Sequence, residues 1–160
     1  MNRTVIVAGL AAAVAAPVAA LAQISASRKA EVERKSERVM PFDMNATMHA
    51  FDPKPDGGVQ TVMVHTGDRK QIALVRGHLR KEAAAFARGN FSDPVAIHDP
   101  TMPGLAELRR DARKLTVRYA DTPSGGSITY ASRDPKVVAA VHAWFKAQTS
   151  DHGEHATMKM

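Results

Sequence analysis

Histidine and methionine are the side chains here best suited to chemistry. The chain has seven histidines, eight methionines and no cysteine. Thiolate metal sites, thiol catalysis, disulfides and haem attachment through cysteine are therefore excluded. Imidazole and thioether are left as the groups that can hold copper, nickel, zinc or haem iron. His98-x-x-x-Met102 brings a nitrogen and a sulfur ligand into one loop, and His152-x-x-His155 puts two imidazoles on one turn. Met40, Met44 and Met48 recur every four residues, as in a copper-binding methionine ladder. Pro41 and the extended pattern that follows argue against a helical ladder and favour methionine as core filler.

The elements that position these groups come in two similar sets. Setting the chain against itself at an offset of 68 residues matches Phe51 with Tyr119, Pro55 with Pro123, Gly57-Gly58 with Gly125-Gly126 and Thr61 with Thr129. Each copy reads as strand, Gly-Gly hairpin, strand, helix. Strands are expected near Thr47 to Asp52, Val59 to His65, Leu115 to Ala120 and Ser127 to Ser132. Alternation places Thr47, His49 and Phe51 on one face. Asp68 caps the first helix, with Gln71 set to complete a capping box, and Ile72, Val75, Leu79, Ala83 and Phe86 form its apolar stripe up to Gly89. His78 sits at the edge of that stripe. Asp134 and Pro135 start the last helix, which carries Val141, His142, Trp144 and Phe145. Between the two copies, prolines are expected to prevent regular structure until a short helix near Pro103. The expected fold is α+β: an antiparallel four-stranded sheet of two β-hairpin-α units, with two long helices on one face and the other face open. His49, His78 and His142 would then converge beneath the sheet.

Residues 1–22 read as a secretory signal peptide. Arg3 precedes a short apolar run, which ends at Pro17 and at the small-x-small site Ala20-Leu21-Ala22. The mature chain is then periplasmic or secreted, with no stable membrane anchor after cleavage. Losing Arg3 leaves 21 Lys and Arg against 16 Asp and Glu, a formal +5. That charge is dispersed and not interleaved with aromatics, so nucleic acid is not an expected partner. Residues 23–40 carry charges of both signs and read as a charged N-terminal helix or mobile arm. Residues 41–153 form a single α+β domain, and 154–160 a disordered tail containing His155, Met158 and Met160.

No Gly-rich phosphate loop, Gly-x-Ser-x-Gly elbow or His-Glu-x-x-His occurs, and no carboxylate pair stands out as acid and base. Met40-Pro-Phe-Asp, Ile97-His-Asp-Pro-Thr-Met-Pro-Gly-Leu105, Asp134-Pro, Val141-His-Ala-Trp-Phe and Asp151-His-Gly together resemble a group of small exported bacterial proteins of poorly defined function. Some of that group are labelled aspartate carbamoyltransferase. The true enzyme is cytoplasmic and binds carbamoyl phosphate through Ser-Thr-Arg-Thr and His-Pro-x-Gln segments. Neither motif is present, so the resemblance implies no catalytic residue here.

The expectation is a periplasmic metal-binding protein, with copper favoured by mixed imidazole and thioether ligands. The candidate ligands are His49, His78, His98, Met102, His142 and His152. Two other functions fit the same residues. One is a binding module without metal that uses the open sheet face or basic surface to hold an envelope protein or an anionic ligand. The other is a small hydrolase or lyase with His142 or His98 as general base.

Overall fold

The computed structural model describes residues 15–159. Most of the expected export signal lies outside the described residues, and its last part enters a helix. That helix, α1 (Ala15–Val39), precedes the hairpin β1 (Thr47–Lys54) and β2 (Gly57–Val64), then α2 (Arg69–Phe86). Two short helices follow, α3 (Ser92–His98) and α4 (Leu105–Arg110). The second hairpin is β3 (Thr116–Thr122) and β4 (Gly125–Ala131), and α5 (Pro135–His152) and β5 (Ala156–Met158) complete the chain.

The α+β class holds, but the sheet is mixed and five-stranded, in the order β3-β4-β2-β1-β5. Four strands are antiparallel, whereas β5 runs parallel to β1, with His49 opposite Ala156. The tail expected to be disordered supplies this edge strand, and its Lys159 N–H donates to the Phe51 carbonyl at 2.8 Å. Three residues are too few for alternation to show. The hairpins meet along β2 and β4, where Gln60 lies opposite Ile128. The glycines that open these strands allow a close approach. A Cβ on Gly57 would lie 2.0 Å from the Tyr130 carbonyl oxygen, and one on Gly125 would lie 2.0 Å from that of Val62.

The two long helices cross over the sheet. α2 follows the first hairpin but packs mainly on β3 and β4, and α5 follows the second but packs on β1, β2 and β5. The hairpin-helix units are thus interlocked around one core, centred on Phe51, Val62, Ile128, Tyr130, Val141, Trp144 and Phe145. Asp68 caps α2 through the Lys70 and Gln71 amides. Gln71 does not close the expected capping box, because its Oε1 accepts from the Asp43 amide at 2.9 Å and ties α2 to the segment before β1.

Two outcomes concern what lies outside the hairpins. Residues 92–98 form α3 despite Pro94, because proline in a first helical turn removes no hydrogen bond the helix would have made. Of the two forms expected for the charged segment, helix or arm, it takes the helix. As the main part of α1 it docks on α3 and α5, burying Val32 and Ser36. Among the described residues, no helix is long and apolar enough to cross a membrane.

Candidate metal centre

A small cavity of about 30 Å³ lies between the sheet, α2, α3 and α5. Water needs about 10–15 Å³ per molecule measured this way, so the space suits one or two water-sized occupants. His49, His78 and His98 all line it, with Glu82, Asp93 and Trp144. β1 contributes His49 from its core-facing side. α2 contributes His78 and Glu82, four residues apart and so on one face. α3 contributes Asp93 from its first turn and His98 from its last.

His78, Glu82 and Asp93 each present a ligand atom within 4.8 Å of the other two. His78 is buried, and its ring meets Phe42 edge-on with centroids 5.6 Å apart. Burial pushes the Glu82 carboxyl up to about 8, and a hydrogen bond to Asp93 with that group's negative charge adds to the effect. At neutral pH Glu82 therefore keeps its proton. Burial also lowers the affinity of His78 for its proton, which leaves the imidazole ready to donate a lone pair.

Beside this group stand three more buried imidazoles. His49 and His152 are stacked with centroids 5.3 Å apart, and His152 meets His98 edge-on at 4.9 Å. His49 Nδ1, His98 Nε2 and His152 Nε2 have no hydrogen-bond partner, and neither has the buried Trp144 Nε1. The His98 ring donates from Nδ1 to Asp151 Oδ2 at 2.8 Å, which puts the neutral ring's lone pair on Nε2. Burial works against ionised Asp151, but hydrogen bonds from His98 and Arg28 overcome it and hold that carboxyl at about 2. Arg28, from α1, also reaches Asp99 and the His98 carbonyl, at 2.9 and 2.7 Å. Burial lowers His49 to about 4, although its ring bonds to the His155 backbone. His152 is lowered well below its ordinary value by burial and by the neighbouring imidazoles.

Of the six candidate ligands, His49, His78 and His98 share the cavity, and His152 adjoins two of them. His142 is elsewhere. Its Nε2 donates to the carbonyls of Gly57 and Lys54 at 2.8 and 3.0 Å, pinning the first hairpin's turn to α5. The expected convergence of His49, His78 and His142 fails because α5 turns that side chain toward the hairpin. Met102 is packed in the apolar core, while Met40, read as filler, packs against that core and is among the residues lining the cavity. Sequence reasoning missed Glu82, Asp93 and the Arg28–Asp151–His98 chain. The His78-x-x-x-Glu82 spacing on α2 was the available signal.

No protein-family model matches the chain, no curated protein matches it, and no solved structure matches it.

Proposed function

We propose that this is an exported protein that binds a divalent transition-metal cation, with His78, Glu82 and Asp93 as its first ligands. The observation that carries the reading is the gathering of one imidazole and two carboxyls to within 4.8 Å at the wall of a small cavity. The unpartnered ring nitrogens His49 Nδ1 and His98 Nε2 nearby add to it. The cavity is rich in acceptors, and Trp144 Nε1 is an unmet donor beside them. Such a surplus is relieved by a positive ion. Nitrogen and carboxylate ligands suit Cu(II) and Zn(II) more than Cu(I). Copper remains the favoured metal where the Met40 thioether joins the set.

The test is calorimetric titration of the untagged protein with Zn(II) and with Cu(II) against a competing chelator. His78→Gln and Asp93→Asn should each weaken binding at this site by more than the roughly 10–100-fold that loss of an outer partner costs. Undiminished affinity in both variants would remove these residues from consideration.

A second reading rests on the sheet face away from α2 and α5. Thr116, Arg118 and Thr129 are exposed there, and Thr61 and Met63 half-buried, a surface for a non-metal interaction with an envelope protein. A hydrolase or lyase built on His98 has its orienting carboxylate in Asp151. The cavity of about 30 Å³ beside His98 is the space such a reaction would use.

A further inference from the structure

We propose that the same cavity region takes a second cation, held by the nitrogens of His49, His98 and His152 alone. This deepens the reading above by making the site a two-ion centre with one carboxylate-rich and one imidazole-only position. All three side chains are at least nine-tenths buried, at 2%, 1% and 7% exposure, and each has a ring nitrogen without a partner. One such nitrogen could be met by a buried water. Three adjacent ones, with no protein donor supplied, form a ligand set.

His152 stands from each of the other two rings at close to the separation a shared ion requires. Two imidazoles bound at about 2.0 Å per bond, roughly 90–110° apart, have ring centres roughly 4.5–5.2 Å apart. The observed centroid separations are 4.9 and 5.3 Å. One of the rings is already oriented from behind, as metal-binding histidines usually are. His98 is held by Asp151, itself gripped by Arg28. His152 is the adjustable member. The group gathered to within 4.8 Å is the carboxylate one, so the imidazole position forms when the His152 ring turns about its soft terminal torsion. His152 also lines a second hollow of about 240 Å³ between α1 and the turn after α5, which gives an ion a route in. An all-nitrogen set selects Cu(II), Ni(II) or Zn(II) over the hard cations Mg(II) and Ca(II).

The experiment is Cu(II) loading of the untagged protein under chelator competition, read by bound metal per chain and by pulsed electron paramagnetic resonance, which counts coordinated imidazoles. The expected result is two ions per chain, one showing several imidazoles. His152→Gln should lose that ion and its signature, while Glu82→Gln with Asp93→Asn loses the other ion. One ion per chain, unaffected by His152→Gln, would overturn the second position and leave the carboxylate site standing. One ion lost in His152→Gln but kept in the carboxylate variant would support the imidazole position and overturn the carboxylate one. No ion, or a wild-type spectrum with a single imidazole, overturns the imidazole site without reliance on any variant's folding.

Discussion

Trp144 is the only tryptophan in the chain, is fully buried, and lines the cavity with His49, His78 and His98. A paramagnetic ion in so small a space is in close range of the indole. Cu(II) is therefore expected to quench the emission strongly and saturably at the bound stoichiometry, while Zn(II), with no unpaired electrons, leaves most of it. Unchanged emission at saturating Cu(II) would place the ion somewhere other than this cavity. The histidines of this region were legible because periodicity is local: strand alternation sends His49 toward the helices, and the α2 stripe puts His78 at its edge. The carboxyls were not. Glu82 falls within the apolar stripe between Leu79 and Ala83, where a charged residue reads as a solvated edge, and it is buried here. Asp93 acquires a meaning only once α3 exists to aim it, and Pro94 conceals that helix.

α1 shows why a charged element can belong to the body of a fold. Its charged part buries Val32 and Ser36, although composition alone suggests a solvated helix or mobile arm. What fixes it is Arg28, which bridges Asp151 on α5 to Asp99 and the His98 carbonyl at the end of α3. Cleavage after Ala22 would leave this contact intact. Hydrogen bonds to charged groups contribute about 1.5–3 kcal/mol when buried, and the part-exposed guanidinium lowers that figure. Arg28→Ala is expected to cost about 1–2 kcal/mol and to speed amide exchange along α1 selectively. It should also loosen the His98 ring, so Cu(II) affinity falls with it. Exchange in α1 as slow as in the wild type would show that the helix docks without this arginine. Nothing in the sequence pairs Arg28 with Asp151, since 123 positions separate them and α1, α3 and α5 must all be in place first.

For the whole molecule, the buried groups set a pH profile that a cation should reshape. The unfolded chain protonates its histidines near 6.5, whereas folded His49 resists until about 4 and His152 is also held well below its ordinary value. Stability is therefore lost as pH falls from 6.5 toward 4. Glu82 acts in the opposite direction. Unfolded it ionises near 4.5, but folded it keeps its proton to about 8, so stability is lost as pH rises between those values. Between 4.5 and 6.5, two or more imidazoles outweigh one carboxyl, and above 6.5 only the carboxyl still acts. The chelator-treated protein should thus be most stable near pH 6.5 and weaken toward pH 8 in urea or thermal unfolding. A cation at His78, Glu82 and Asp93 favours the ionised carboxyl and displaces its proton. Adding Zn(II) should raise stability most at pH 8 and abolish the alkaline decline. A Zn(II) effect equal at pH 6 and pH 8 would mean that the ion binds without releasing the Glu82 proton, and so not at this carboxyl. The interlocked packing makes the profile global: α2 carries Glu82 and covers the second hairpin, α5 carries His152 and covers the first, and both helices close one core.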